Sequence, residues 1–201
     1  PFPWTSHLLH DATSVAVGIS DGQMRKMARG FAWVRRAELE LAGEYDASEH
    51  EPGLSALEWR QFTDTEFALC PPVLAVGNGA SVLDLGFEHL SRLLSSDFPV
   101  RVVAFETPGL TSTGHTHIKR RDLASLAIAH RHAFVLQSSP ATPSHLIAGV
   151  MRGLAVRGPV LFSLASSTAS THAGHGASMA RAARLALESR AGLSPDALTA
   201  M

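Results

Sequence analysis

Four short apolar segments recur roughly every 25–30 residues, and they constrain this chain more than any other feature. They are Val73–Val76, Val100–Phe105, Ala133–Gln137 and Pro159–Leu164, each bounded by Gly, Pro or polar residues. Helical patterns fill the gaps. Residues 82–94 carry Leu83, Phe87, Leu90 and Leu94 on one face, and residues 122–130 follow the second strand. Ser139-Pro140 and Thr142-Pro143 introduce a third helix with Leu146, Ile147, Val150, Met151 and Leu154. An Ala-rich segment, 177–189, reads as a closing helix. Strands alternating with helices in this way build βαβ units around a parallel sheet. Uninterrupted apolar strands predict a sheet covered on both faces. The expected fold class is α/β: a three-layer αβα domain with a mainly parallel sheet over residues 71–201.

Residues 1–70 read as a lead-in and a helical extension. Pro1, Pro3, Gly18 and Ser20 suggest an irregular or short-strand start through residue 20. A helix is predicted from Asp21, as N-cap, to about Ala42, with Met24, Met27, Phe31 and Val34 at helical spacing and Gly43 as the stop. Arg36 and Glu40 form an i,i+4 pair on its outer face. Residues 44–56 read as a polar loop. A short helix follows from Thr63-Asp64 to Leu69, with Glu66 in its first turn, and Pro71-Pro72 ends it.

Composition narrows the setting. A single cysteine, Cys70, excludes an internal disulfide framework; beside Pro71-Pro72 it reads as a small buried apolar residue. The net charge of −1 gives no electrostatic reason to expect nucleic acid or an anionic membrane as partner. No run approaches the ~18 apolar residues of a membrane span and no secretory leader pattern opens the chain, so a cytoplasmic protein is expected. Charged residues make up only 17% of the chain, against ~25% in typical soluble domains. That shortfall predicts surface hidden against other domains, or in a homo-oligomer. A start at Pro1, inside what reads as a continuing segment, suggests part of a longer polypeptide or a processed product.

In open parallel sheets ligands bind at the carboxyl ends of the strands. Here those ends carry Gly77-Asn78-Gly79, residues 106–116, Gln137–Ser139 and residues 165–176. The two glycines after the first strand permit close backbone approach, and a following helix start offers N–H groups to an anion. A diphosphate suits that turn, although many such turns are only turns. The second loop, Glu106-Thr107-Pro108-Gly109-Leu110-Thr111-Ser112-Thr113-Gly114, adds hydroxyls. Two facing oxygen-rich loops suit a hard cation bridged to phosphates.

These motifs, in this order, resemble the thiamine-diphosphate-binding, C-terminal region of the pyruvate:ferredoxin (flavodoxin) oxidoreductase family. That family has a strand, G-D-G and a helix, then a strand ending near D-T-x-x-Y-S-N-T-G. This chain has Gly77-Asn78-Gly79, Asp84-Leu85-Gly86-Phe87, Glu106-Thr107, and Ser112-Thr113-Gly114. Leu123 through His130, Phe134 through Ser139, and Ser144-His145-Leu146-Ile147 through Gly153-Leu154 continue the likeness, which spans most of the chain. Pro3-Trp4 with Val15–Gly18 resembles the segment just before that domain. The resemblance implies oxidative decarboxylation of pyruvate to acetyl-CoA within a larger assembly, electrons passing through iron–sulfur clusters to ferredoxin or flavodoxin. It implies diphosphate seating by Gly77, Asn78 and Gly79, closure by Thr107, Ser112 and Thr113, and Mg²⁺ held by Asn78, Ser112 and the Gly109 carbonyl.

The chain departs from the pattern in telling places. Asn78 and Ser112 stand where the family has its magnesium-ligating aspartate and asparagine, so the anionic ligand is gone; Glu106 replaces that charge if its carboxylate turns inward. The family's insertion after S-N-T-G is missing. Residues 163–172 hold Ser166, Ser167, Thr168 and Ser170 but no cysteine, so the chain does not hold an iron–sulfur cluster. These losses keep open a second reading, a non-catalytic domain retained for structure or binding. Two rivals rest on other residues. His115/His117, His130/His132 and His172/His175 suggest a metal site, with His172 also matching a family histidine. Ser138 and Ser139 stand between a strand and a helix, as a nucleophile would, but without a G-x-S-x-G elbow. Asp84 reads equally as helix surface or cofactor contact.

Overall fold

The computed structural model describes residues 12–106 and 123–165, together with Arg181 and Arg184. By its contacts the chain divides into two units: residues 18–72, and residues 1–17 with 73–201.

The α/β unit is built on four parallel strands, β1 (Val73–Asn78), β2 (Val100–Glu106), β3 (Phe134–Ser138) and β4 (Val160–Ala165), in the order β1-β2-β4-β3. All four fall on the segments predicted as strands. Helix α1 (Ala12–Ala42) contributes its first turns to this unit; α2 (Ala47–Ser55) and α3 (Asp64–Leu69) belong to the other. Between the strands lie α4 (Gly79–Leu85), α5 (Phe87–Leu94), α6 (Leu123–Ala129) and α7 (Pro143–Ala155).

Alternate strand residues point to opposite faces, and the two faces bury different partners. Ala75, Val100, Val102, Ala104 and Leu161 pack with Val82, Leu83, Leu90, Leu93, Leu94, Leu123 and Ala127 of α4, α5 and α6, and with Ala16 of α1. Leu136, Val160 and Phe162 pack with Leu146 and Val150 of α7 on the other face. The sheet is therefore the middle of three layers, as the apolar strands implied. Helix α7 covers only part of its face: Leu74, Val76 and Phe105 are 42–51% exposed there.

Several sequence expectations need correction. Residues 82–94 do not form one helix; the chain breaks at the buried Gly86, whose N–H bonds to the Val82 carbonyl before α5 restarts. Phe87, expected in the core stripe, sits on the restarted turn and is 45% exposed, whereas Leu83, Leu90 and Leu94 are buried. Helix α1 begins at least nine residues before Asp21, so Asp21 is not its cap. Asp21 instead pairs with Arg25 one turn on, at 3.0 Å. Gly43, at φ +72°, does stop the helix, because only glycine adopts that backbone without strain. The segment read as a polar loop contains α2 (Ala47–Ser55), opened by Asp46, whose carboxylate accepts from the Ser48 N–H at 2.7 Å.

The helical unit holds its own core of Met24, Ala28, Phe31, Trp59, Phe62 and Phe67. Phe31 and Phe62 meet edge to face at 5.0 Å. Cys70 is half-buried at the margin of this core rather than inside it. Thr63 caps α3 (Asp64–Leu69), and Glu66 returns a bond to the Thr63 N–H at 2.7 Å, the expected capping box. Glu66 also takes two bonds from Arg35 of α1, at 2.5 and 2.8 Å. The Arg35 guanidinium is the main reason the Glu66 carboxyl is held at about 2. A carboxyl with a lowered folded pKa contributes stability above its unfolded pKa and loses it as pH falls through the folded one. Between about pH 5 and pH 2 this unit is expected to lose about 1–2 kcal/mol, allowing for solvent screening. Urea unfolding at pH 7 and pH 3 tests this: Glu66→Gln should remove most of the difference.

Candidate functional site

Strand order and register bring the ends of β1 and β2 together. Because β1 and β2 are parallel neighbours in register, Asn78 opposite Phe105, the turn after β1 lies beside the end of β2. Glu106 lies opposite Ala165 of β4, so three strand ends converge there. Glu106 shares the face of Val102 and Ala104, the face on which α4 packs.

The geometry at this point is tight. A Cβ on Gly79 would stand 2.7 Å from the Glu106 carboxyl carbon and from Oε1, and 2.9 Å from Oε2. The absent side chain thus makes room for a carboxylate at the first residue of α4. Ser163 of β4, 2% exposed, donates its hydroxyl to Glu106 Oε1 at 3.4 Å. Asn78 caps α4, its Oδ1 accepting from the Ala80 N–H at 2.9 Å. That oxygen keeps a second lone pair, so capping and cation ligation are compatible. Gly77 and Asn78 are the last residues of β1 and Gly79 the first of α4, so the strand passes directly into the helix at the predicted segment. Thr107, Gly109, Ser112 and Thr113 lie outside the described residues.

The Glu106 carboxylate and the Ser163 hydroxyl meet there, beside the turn that carries the Asn78 amide oxygen. All are hard oxygens, the chemistry Mg²⁺ selects. Two anions in contact repel, so an anion beside the Glu106 carboxylate calls for a bridging cation. Ser163 was not singled out by sequence. The signal that could have found it is its position, a serine in an otherwise apolar strand two residues before the β4 end.

The rival constellations resolve differently. The Ser138 hydroxyl lies 3.0 Å from His145 Nδ1, joining the end of β3 to the first turn of α7. Ser138 is 3% exposed, and His145 has no carboxylate partner among the described residues. The pair holds a helix start against a strand end, with the Ser138 hydroxyl buried. Ser139 is buried as well, its hydroxyl accepting from the Ala141 N–H at 3.1 Å.

His130 lies between two serines of the α5 end, with Nδ1 3.0 Å from Ser95 Oγ and Nε2 3.4 Å from Ser91 Oγ. Both ring nitrogens are used, so His130 is not poised to share a metal with the exposed His132. Among the described residues no group of three His, Cys, Asp or Glu side chains could hold a metal ion. His115, His117, His172 and His175, and the predicted helix 177–189 apart from Arg181 and Arg184, lie outside the described residues, as does the Asp84 side chain. No helix among the described residues is long and apolar enough to cross a membrane. No family model matches the chain, and no curated protein matches it.

Proposed function

We propose that this chain is the thiamine-diphosphate-binding domain of a 2-oxoacid oxidoreductase-like assembly acting on pyruvate, with Glu106 as the anionic magnesium ligand that Asn78 no longer supplies. One observation carries the reading: the Glu106 carboxylate turned onto Gly79, at the turn where the diphosphate would sit. Gly77 lets backbone approach the phosphates, Gly79 makes room for the Glu106 carboxylate, Asn78 presents a neutral oxygen, and Ser163 orients Glu106 by a hydrogen bond. When bound, thiamine diphosphate supplies the carbanion-stabilising chemistry of 2-oxoacid decarboxylation. The residues of this chain need only hold it. Partner domains or subunits would bring the iron–sulfur clusters, with ferredoxin or flavodoxin as the eventual electron acceptor.

The same contact favours a second reading, a non-catalytic domain in which Glu106 fills the place of the lost anion. Calorimetric titration with thiamine diphosphate, with and without Mg²⁺, separates the two. Under the first reading binding is saturable near micromolar ligand and needs Mg²⁺, and Glu106→Gln weakens it at least about tenfold. Under the second the natural chain gives no heat at millimolar ligand with or without Mg²⁺, and Glu106→Gln admits the diphosphate instead of excluding it. Silence from the natural chain, from Glu106→Gln and from Asn78→Asp would overturn cofactor binding by this chain.

A further inference from the structure

The helical unit carries a concavity of about 490 Å³. That is within the size range of small-molecule sites. One wall is α1, where Arg25, Arg29, Trp33 and Arg36 follow each other at i,i+4 and i,i+3 spacing and so share a stripe. Leu54 and Leu57 supply apolar surface opposite.

The charges in this groove are not equivalent. Arg25 is engaged by Asp21 at 3.0 Å. Arg36 is engaged by Glu40 at 2.9 Å and by Glu51 at 3.5 Å, and lies over the Tyr45 ring. Glu51, the acid in the lining, is shared with the Tyr45 hydroxyl at 2.9 Å. Arg29 has no hydrogen-bond or ion-pair partner among the described residues. One turn along, Trp33 is 75% exposed, the most exposed tryptophan described. A guanidinium fork suits phosphate or carboxylate, and an indole face suits an aromatic ring.

We infer that the groove between α1 and α2 binds a small aromatic anion of nucleoside-monophosphate size, its ring on Trp33 and its anionic group on Arg29. Both contacts come from one face of a regular helix, so the site needs no rearrangement to form.

The test is a fluorescence titration of the whole chain with 5′-AMP and with phenyl phosphate, against adenosine and inorganic phosphate as the separate halves. AMP is expected to quench saturably, and each half to bind at least about tenfold more weakly. Trp33→Phe should abolish the quench, and a quench that survives in that variant would overturn the placement of the ring on Trp33. Arg29→Ala should weaken binding by about 10–100-fold, the worth of one charge-assisted bond, and added salt should weaken it too. Circular dichroism and thermal unfolding of Arg29→Ala should match the natural chain. No saturable quench by AMP or phenyl phosphate up to about 10 mM, or equal binding by Arg29→Ala, overturns the inference.

Discussion

Phe162→Ala is expected to destabilise the α/β unit by about 3–5 kcal/mol, read from urea unfolding followed by far-UV circular dichroism. Phe162 is 2% exposed in β4, an inner strand of the sheet, and packs under α7. It can lie there because α7 presents glycines: a Cβ on Gly153 would stand 2.5 Å from Phe162 Cε1 and 3.1 Å from Phe134 Cε1. Gly149 meets the Leu136 methyl groups in the same way. Gly153→Ala therefore sets two effects against each other. A methyl group forced into a packed core costs about 1–3 kcal/mol, while alanine in a helix interior gains up to about 1 kcal/mol over glycine. Overpacking wins, and the single variant should be less stable. In the Phe162→Ala background the clash is relieved and most of the helical gain survives. Gly153→Ala should then be neutral or stabilising, and a cost equal in both backgrounds would show that the ring is not what excludes the methyl.

The second large effect is at Arg101. This residue is 2% exposed in β2, and no carboxylate among the described residues pairs with it. Its guanidinium donates to the Pro99 carbonyl and, at 2.7 Å each, to the carbonyls of Leu154 and Val156 at the end of α7. A cation suits a helix C-terminus, where the last carbonyls lack helical partners. Burial pulls the Arg101 pKa down, the sign of a charge held against its desolvation cost, and Nε has no hydrogen-bond partner. Arg101→Ala leaves a cavity and three carbonyls unserved and should cost about 3 kcal/mol. Arg101→Met keeps much of the volume and removes the desolvated charge, so it should cost about 1–2 kcal/mol. Thermal unfolding of both tests the ranking. If Met were the more damaging, space for water at the three carbonyls would matter more than filling the cavity.

How much of this was legible beforehand follows from the range of each interaction. The four strands, the Gly43 stop, the Thr63/Glu66 capping box and the Arg36–Glu40 pair each depend on residues a few positions apart. Helix α2 was missed because Pro52 and Gly53 read as loop, although Asp46 followed by Ser48 and Glu49 is a usable N-terminal signal. The early start of α1 was missed because Val, Thr and Gly dilute helix propensity there. The spacing of Thr13, Ala16, Ser20 and Met24, all buried, carried the information.

The sequence by itself determined which segments are strands, where α3, α6 and α7 lie, that the sheet is parallel and that Gly77-Asn78-Gly79 joins a strand to a helix. Local propensity and apolar periodicity suffice for these. Only the tertiary structure decided the order β1-β2-β4-β3, and with it the meeting of Glu106, Gly79 and Ser163 across 84 residues of chain. It also decided that Phe162 lies against Gly153, and that Arg101 serves carbonyls 53 and 55 residues away. The physical reason is that strand order and helix docking depend on which apolar faces bury one another. That is a property of the whole assembled core, and no stretch of chain a few residues long encodes it.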